Sequence, residues 1–273
     1  MLHYESDKYA LHLGDCVSVI AKMPDESVDS VITSPPYAEQ RKTTYGGIPE
    51  KDYPDFTVSW MRELKRVLKP NGSIIINISP HIKNGELSDY VLRTRLAVRD
   101  DGWKEVGEMI WYKPNAMPTG SRFKPRRSWE SLLWYGKHGQ PYSNAKANGR
   151  PNTYRTNVRT SSAAREGWSH APVGSQSTPA VSRCPDVVSI PTSEHVDGMR
   201  HPAKYPVALA EWCAKLITPQ GGTVLDPFNG SGSTGVAALR NGWYYVGIDM
   251  VPEYVEGTQE RLERVVNEQK PLV

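Results

Sequence analysis

The most informative stretch of the chain runs from Thr223 to Gly235 and reads TVLDPFNGSGSTG. A β-rich run ends at Asp226, a glycine-bearing turn follows, and a helix is predicted to begin near Thr234. Glycines in such a turn let backbone N–H groups approach an anionic ligand closely, and the helix N-terminus adds a favourable partial positive charge. The stretch therefore predicts an α/β unit with a ligand site at a strand end, although the glycines alone would also fit an ordinary tight turn.

A second strand-like run lies about twenty residues further on and ends at Asp249, in the sequence VGID. An acid at the tip of the second strand is where Rossmann-type sites hold a ribose diol. The turn has the spacing FxGxG, formed by Phe228, Gly230 and Gly232. This spacing matches neither the GxGxxG dinucleotide motif nor a P-loop.

Another candidate site follows the predicted strand 28–32 and reads TSPPY, from Thr33 to Tyr37. Proteins of the α/β class place ligands at this carboxyl edge of the sheet. Consecutive prolines have no N–H groups and hold an extended backbone, so the carbonyls around Ser34 and Pro35 stay free as acceptors. Together with the Ser34 hydroxyl they suit an exocyclic amine, because two acceptors bind both N–H protons and turn the nitrogen lone pair outward.

Tyr37 offers a flat face on which an extruded base can stack, a contact worth about 1–3 kcal/mol per base. Extrusion is needed because the target amine is inaccessible inside a duplex. On its own the tetrapeptide would also fit a surface turn. Its combination with the FxGxG turn and Asp249 favours a site for chemistry on a base.

Strand-like and helix-like runs alternate along the chain, which predicts an α/β layered fold with a largely parallel sheet. The predicted strands are 9–13, 28–32, 73–78, 106–111, 130–135, 223–225 and 244–247, and the predicted helices are 17–22, 56–68, 206–216, 234–240 and 253–266. One polar stretch, 138–200, breaks the alternation. A structureless loop of that length is improbable in a compact domain, so we expect a separate insertion or a region ordered by a partner.

Positive charge is concentrated just before and within this polar stretch. Residues 113–165 contain eleven basic residues and one acid, Glu130, a local charge of +10 in a chain of net charge +3, so the remaining residues carry −7. Such asymmetry is expected of a surface that meets a polyanion, since neutralising phosphates releases counterions and supplies most sequence-independent affinity for DNA. A solvated basic face is the alternative that charge alone leaves open.

The three cysteines, Cys16, Cys184 and Cys213, are far apart and form no CxxC pair, which predicts reduced thiols and no metal site. The first residues do not read as a signal peptide, and nowhere do about 18 apolar residues run together as a membrane span requires. We therefore expect a soluble, cytoplasmic protein without membrane contact. The 273 residues are enough to bury a core.

The motifs follow one another in a particular order: TSPPY, a variable basic region, HPxxxP at residues 201–206, and DPFNGSG at residues 226–232. This order resembles that of the β-class amino DNA methyltransferases, including type II restriction-modification methylases, and the resemblance covers nearly the whole chain. It implies a Rossmann-like S-adenosylmethionine-dependent methyltransferase fold with a mixed seven-stranded sheet, a circularly permuted motif order and an inserted target-recognition region. The implied parts are a catalytic part of the core (1–137), the recognition region (138–200) and a cofactor-binding part of the same core (201–273).

The permuted order has a consequence for topology. The helix 253–266 follows the second cofactor-side strand, and the next strand of the usual methyltransferase sheet would be supplied by residues 9–13. The two ends of the chain should therefore lie near each other.

The resemblance also assigns roles to individual residues. The implied catalytic residues are Ser34, Pro35, Pro36 and Tyr37. The implied ligands of S-adenosyl-L-methionine are Asp15, His201, Pro206, Asp226, Phe228, Asn229, Gly230, Ser231, Gly232 and Asp249. The expected DNA-binding residues are Arg41, Lys42, Lys113, Arg122, Lys124, Arg126, Arg127, Arg150, Arg155 and Arg159, which would read guanines or hold phosphates. We further predict that Arg41, Lys42, Tyr45, Gly46 and Gly47 form a loop that orders over the flipped base.

A serine in the SPPY position goes mostly with N4-cytosine methylation in this family, whereas an aspartate goes mostly with N6-adenine methylation. The resemblance therefore implies a site-specific DNA methyltransferase acting on N4 of a flipped cytosine, with N6 of adenine as the alternative. The expected partners are double-stranded DNA, S-adenosylmethionine and, functionally, a cognate restriction endonuclease. The expected assembly is a monomer or a homodimer.

Other functions fit fewer of these features. A C5-cytosine methyltransferase needs an activated nucleophilic cysteine, and Cys184 lies in a polar segment without a Pro-Cys pair. An RNA or protein-glutamine methyltransferase would usually carry its cofactor motif before an Asn-Pro-Pro-Tyr motif. A noncatalytic DNA-binding module would explain the basic segment but not the glycine turn.

Overall fold

The computed structural model describes residues 2–40, 47–117, 123–151, 181–192 and 205–269. These residues contain a nine-stranded mixed sheet with helices on both faces, and a separate two-stranded hairpin. The strands are β1 (Leu2–Glu5), β2 (Tyr9–Leu13), β3 (Val28–Thr33), β4 (Leu68–Ile78), the hairpin β5 (Ile82–Lys83) and β6 (Glu86–Leu87), β7 (Lys104–Tyr112), β8 (Trp129–Gly136), β9 (Val187–Ser189), β10 (Thr223–Asp226) and β11 (Tyr244–Asp249). The helices are α1 (Cys16–Ile20), α2 (Tyr53–Val67), α3 (Tyr90–Asp100), α4 (Val207–Ile217), α5 (Ser233–Arg240) and α6 (Pro252–Glu268).

The strand order in the sheet is β1-β2-β11-β10-β3-β4-β8-β7-β9. Five neighbouring strands, β2, β11, β10, β3 and β4, are parallel to one another. β8 is antiparallel to both of its neighbours, and β9 pairs in parallel with β7. β2 pairs with β11, with Leu13 opposite Asp249, so residues 9–13 supply the strand next to β11, as the permuted motif order predicts. α6 packs on β2, which brings the two ends of the described chain together.

The predicted α/β fold with a mixed, Rossmann-like sheet is confirmed, and each of the seven predicted strands and five predicted helices is present within a few residues. The predicted number of strands, seven, is too low. The two additional strands, β1 and β9, are short edge strands whose residues are mostly exposed. They have no run of buried side chains, and hence no apolar periodicity that would reveal them in the sequence.

Helix α3 was not predicted either. It buries Tyr90, Val91 and Val98 but exposes Leu92 and Leu96, so its apolar residues do not follow one helical face. By contrast, α2 has Pro54 in its first turn and buries Trp60, Met61 and Leu64 on a single stripe, which makes it readable from the sequence.

The core has two halves, one on each face of the sheet. Side chains of α1, α2 and α3 pack on one face, around Trp60, Leu64 and Ile76. Side chains of α4, α5 and α6 pack on the other, around Leu209, Val236 and Leu262. No helix in the described ranges is both long enough and apolar enough to cross a membrane.

The described pieces of the predicted recognition region, 138–151 and 181–192, lie against this core. β9 extends the main sheet through its pairing with β7, and Asn144 N donates to Leu216 O of α4. Pro151 and Val181 form an antiparallel bridge that connects the two pieces. The remaining residues, 152–180 and 193–200, lie outside the described residues, so the role of this region stays a prediction.

Candidate functional site

Both sequence motifs line one cavity at the carboxyl ends of β3 and β10, which are neighbours in the sheet. The SPPY segment (residues 34–37) and the glycine turn (residues 226–232) both contribute to its wall. The lining residues are Ser34, Pro35, Pro36, Tyr37, Gln40, Asn77, Trp111, Lys113, Glu130, Thr192, Tyr205, Phe228, Asn229, Gly230, Ser231 and Ser233. The structure thus brings together two motifs that are almost two hundred residues apart in the sequence.

Asp226 holds the glycine turn in place through hydrogen bonds of its buried carboxylate. Its carboxylate is fully buried and accepts hydrogen bonds from four groups: Thr33 Oγ1 and Phe228 N on one oxygen, Thr234 Oγ1 and the Tyr205 hydroxyl on the other. Burial raises the pKa of Asp226, and these hydrogen bonds act in the opposite direction. Since its acceptor positions are used by protein groups, Asp226 shapes the turn and joins β10 to β3.

Asn229 fixes the middle of the turn. Its Nδ2 donates to Thr258 Oγ1 at 2.9 Å and its Oδ1 accepts from the Tyr245 hydroxyl at 2.7 Å. Gly232 adopts a positive φ of 73°, and a Cβ atom there would lie 2.6 Å from the side chain of Thr258. Only glycine meets both the backbone conformation and the close packing at this position.

Asp249 lies at the end of β11 beside the turn. Its Oδ2 accepts from Gly230 N at 2.8 Å and its Oδ1 from Val251 N at 3.0 Å, and the residue is 3% exposed. Burial raises the pKa of Asp249 to about 6, against the opposing effect of its backbone hydrogen bonds. The carboxylate is therefore largely ionised at neutral pH.

The N-terminus of α5 opens on the same cavity. Its N-cap is Gly232, which has no side chain to accept from the first turn, and Ser231 and Ser233 line the cavity on either side. Uncapped N–H groups and the helix dipole suit a carboxylate. Together with the Asp249 carboxylate beside the turn, these groups have the chemistry that the carboxylate and ribose hydroxyls of S-adenosylmethionine require, and the role of Asp249 toward the ribose stays a prediction.

The SPPY segment is held through its last residue. The Tyr37 hydroxyl donates to Glu130 Oε2 at 2.9 Å and accepts from Asn77 Nδ2 at 3.2 Å. Burial and the charge of Glu130 raise the pKa of Tyr37 well above its usual value, so the hydroxyl stays protonated. Ser34 is half-buried in the cavity wall, where its hydroxyl can accept from a ligand.

Glu130 connects this segment to Lys113. Its Oε1 accepts from Lys113 Nζ at 2.6 Å, and its Oε2 accepts from Asn77 Nδ2 at 2.9 Å in addition to Tyr37. Lys113 therefore lies in the cavity wall instead of on the exposed surface expected of a phosphate contact.

Sequence reasoning missed Asn77, Glu130 and Tyr205 as residues of the site. Two of them left a signal: Glu130 is the one acid in the basic stretch 113–165, and Asn77 interrupts the apolar run of β4. An isolated polar residue in such surroundings indicates a specific partner.

The other predicted cofactor ligands are placed differently. Asp15 accepts from Ser18 N as the N-cap of α1 and lines a second cavity, with Gly14 and His12, and not the shared one. Pro206 is the N-cap of α4, and His201 lies outside the described residues. A cofactor role for these three residues stays a prediction.

Apart from Lys113, the predicted DNA-binding residues divide into two groups. Arg41, Lys42, Arg122, Arg155 and Arg159, with Tyr45 and Gly46 of the predicted loop, lie outside the described residues. Lys124, Arg126 and Arg127 precede β8 and donate to the carbonyls of Gly85, Ala116 and Pro80, while Arg150 N donates to Ser182 Oγ.

The cysteines are free thiols, and none of them lines the shared cavity. Burial raises the pKa of Cys16 to about 12 and also raises that of Cys213 and Cys184. The described residues thus offer no activated thiol beside the SPPY segment for attack on a cytosine ring.

Comparison with known proteins adds independent information. A family model of N6/N4 methyltransferases, described as "DNA methylase", matches residues 28–260. The type II methyltransferase M.PvuII of Proteus hauseri is 25% identical over 98% of this chain and 88% of its own length. The type II methyltransferase M.ScaI of Streptomyces caespitosus is 27% identical over 96% of this chain and 83% of its own length.

Two solved structures share the fold. The PvuII DNA methyltransferase (cytosine-N4-specific) superposes with a TM-score of 0.73 at 23% identity, over 96% of this chain and 93% of its own. The Thermus thermophilus protein TTHA0409, complexed with S-adenosyl-L-methionine, superposes with a TM-score of 0.62 at 24% identity, over 95% of this chain and 96% of its own. At these identities the likeness shows the fold.

Proposed function

Because the chain belongs to the family of N6/N4 DNA methylases, we propose that it transfers a methyl group from S-adenosyl-L-methionine to the exocyclic N4 of a cytosine flipped out of double-stranded DNA. The observation that carries this proposal is the single cavity lined by both the SPPY segment and the glycine turn. A methyl donor on the turn and an amine on the SPPY segment would meet there, in the proximity that transfer requires.

The cofactor would be held by the groups around the glycine turn. Asp249 would accept from the ribose hydroxyls, and the first N–H groups of α5, beside Ser231 and Ser233, would bind the methionine carboxylate. Asp226 and Asn229 act through the shape of the turn. When bound, S-adenosylmethionine would supply an electrophilic methyl group on its sulfonium. Transfer would form the nitrogen–carbon bond, break the methyl carbon–sulfur bond to leave the thioether S-adenosylhomocysteine, and release one amine proton to solvent.

The target base would lie against the SPPY segment. Tyr37 would supply the stacking face, and the bond of its hydroxyl to Glu130 fixes the position of the far end of the ring. The Ser34 hydroxyl and a carbonyl beside Pro35 would accept hydrogen bonds from the two amine N–H groups, which would direct the lone pair toward the methyl group and stabilise the positive charge that develops on nitrogen.

Cytosine is favoured as the target base by two findings. The first residue of the segment is Ser34, as in the N4-cytosine methylases that the motif resembles. The relative M.PvuII, which matches nearly the whole chain, is named cytosine-N4-specific in its solved structure. Adenine N6 would use the same arrangement of acceptors and is the alternative outcome of the experiment below.

DNA would be recognised by the region 138–200 and by the basic residues around it, which we assign to phosphate and base contacts. The type II names of the relatives support a restriction endonuclease as functional partner. The assembly we propose is a monomer or a homodimer.

The function is tested by incubating the purified protein with unmethylated genomic DNA and S-adenosylmethionine labelled in its methyl group, followed by mass spectrometry of the digested nucleosides. We expect labelled N4-methylcytosine. Labelled N6-methyladenine would overturn the assignment of the base, whereas 5-methylcytosine or unlabelled DNA would overturn the mechanism. Sequencing of the methylated sites then gives the recognition sequence.

A further inference from the structure

A covered ion pair lies inside the cavity, beside the SPPY segment. Lys113 Nζ is 2.6 Å from Glu130 Oε1, and the two side chains are only 16% and 14% exposed. Both line the cavity that contains Ser34 and Tyr37. A lysine covered in this way is poorly placed to hold the phosphates of a duplex on the surface, whereas a flipped base enters the space beside it.

The ammonium group is fixed relative to the ring of Tyr37. One carboxylate, that of Glu130, binds Lys113 through Oε1 and both Tyr37 and Asn77 through Oε2. The ring of Trp111 covers the ammonium from another direction, with its centroid 5.1 Å from Nζ. Glu130 therefore positions the stacking platform and the cation together.

Lys113 also has donors left for a ligand. An ammonium carries three N–H donors, and within the described part of the chain Nζ donates to Glu130 alone. The neighbouring amide of Asn77 is not an equivalent donor, because its Nδ2 already donates to Glu130 and Tyr37. Of Lys113 and Asn77, Lys113 is therefore the side chain that can donate a hydrogen bond to an acceptor on the base.

Resting on the proposed function, we infer that Lys113 donates a hydrogen bond to O2 of the flipped cytosine and that this contact selects cytosine over adenine. Both bases carry a ring-nitrogen acceptor next to the exocyclic amine. On the following ring atom cytosine carries the oxygen O2, whereas adenine carries a C–H group. A fixed cationic donor forms a hydrogen bond with the oxygen of cytosine. Beside the C–H group of adenine it would lose its bound water and gain no hydrogen bond in return. Sites built on a hydrogen bond reject analogues that lack it.

The test uses the paired variant Lys113→Met/Glu130→Gln, because removing the lysine alone would leave a covered carboxylate without its counterion. The glutamine still offers an acceptor to Tyr37. Single-turnover methyl transfer is measured on a duplex with cytosine at the target position and on a matched duplex with a mispaired adenine there. We expect the cytosine rate to fall on the order of 10–100-fold, the loss of one charge-assisted hydrogen bond, while the adenine rate is retained.

Lys124→Met is the matched control, since Lys124 belongs to the same basic segment but donates to Gly85 O outside the cavity. It should lower the cytosine rate and the adenine rate by the same factor and leave their ratio unchanged. If the paired variant also lowers both rates by the same factor, the Lys113–Glu130 pair has a structural role and the inference is overturned. If the parent protein methylates no cytosine, the proposed function itself has failed.

Two further measurements apply where the paired variant is unfolded or where adenine transfer is too slow to detect. If the paired variant does not melt cooperatively, Lys113→Leu/Glu130→Gln replaces it, which also leaves no unpaired charge, with the same expected change in the ratio. If adenine transfer is below detection, the affinity for the cytosine duplex is compared with that for a duplex abasic at the target position. The variant should then lose the parent's preference for the cytosine duplex, and an unchanged preference would overturn the inference.

Discussion

The glycine turn and the SPPY segment lie side by side at the ends of β10 and β3, yet they are held in different ways. The turn is fixed by its own side chains: Asp226 accepts four hydrogen bonds, and Asn229 bonds to both Thr258 and Tyr245. The SPPY segment has two prolines without N–H groups and is anchored through Tyr37 to Glu130 and Asn77.

This difference separates two tasks. A turn whose own N–H groups donate to protein acceptors holds the start of α5 in a fixed place beside the cavity, so little ordering is needed when a cofactor binds. A segment with free carbonyls and a single aromatic anchor leaves acceptors available for a reacting amine. Variants in the SPPY segment should therefore change methyl transfer and spare cofactor affinity, whereas variants in the turn should change cofactor affinity and stability.

The largest effect is expected for Tyr37→Ala, which removes the stacking face and leaves the flipped base less populated. Tyr37→Ala should lower the single-turnover rate of methyl transfer by a larger factor than Ser34→Ala does. Calorimetry should give the Tyr37→Ala protein the same affinity for S-adenosylmethionine as the parent. Tyr37→Phe is the control, since it keeps the ring and loses only the bond to Glu130. Equal losses in the alanine and phenylalanine variants would contradict a stacking role.

Ser34→Ala should follow, with a loss on the order of 10²–10³ in the same rate, as for other preorganised transition-state contacts. It removes one acceptor for the amine and leaves the prolines and carbonyls in place. Unchanged transfer in a folded Ser34→Ala protein would exclude the hydroxyl as an acceptor.

The turn is tested by a pair of glycines that share a positive φ. A Cβ atom at Gly232 would lie 2.6 Å from Thr258, whereas at Gly242 it would meet nothing within 4 Å. Gly232→Ala should therefore lower the free energy of unfolding by about 1–3 kcal/mol more than Gly242→Ala, the cost of overpacking, and should also weaken cofactor binding. Denaturant titrations that give both variants the same loss would contradict the packing described for the turn.

The smallest effect concerns pH. Burial raises the pKa of Asp249 to about 6, so its carboxylate is ionised at pH 8 and mostly protonated at pH 5. Protonation removes acceptor capacity for the ribose hydroxyls, and the affinity for S-adenosylmethionine should fall roughly tenfold over this interval. Asp249→Asn should bind weakly and lose this dependence. A flat profile for the parent protein would argue against Asp249 as the ribose acceptor.

The same contrast explains what the sequence could predict. Apart from Thr33, which lies 193 residues from Asp226, the hydrogen-bond partners described for the turn are nearer in the chain, with Asn229 and Thr258 separated by 29 residues and Gly230 and Asp249 by 19, so its chemistry is readable as a motif. Tyr37 is anchored by residues 40 and 93 positions away, on strands whose pairing the sequence does not specify. Glu130 was visible only as a lone acid, and its part in the site required the sheet order.

The edges of the sheet show the same limit. The central strands are marked by runs of buried side chains, as in β4, and were predicted. β1 and β9 are stabilised mainly by backbone pairing with β2 and β7, which leaves no side-chain pattern to read.

The central claim, that one cavity holds both the methyl donor and the target amine, is tested most directly by a crystal structure of the protein with S-adenosylhomocysteine. We expect the ligand in the shared cavity, with its ribose hydroxyls on Asp249, its carboxylate at the start of α5 and its sulfur facing Ser34. A ligand that lies wholly in the second cavity and leaves the cavity between Ser34 and Ser231 empty would contradict it.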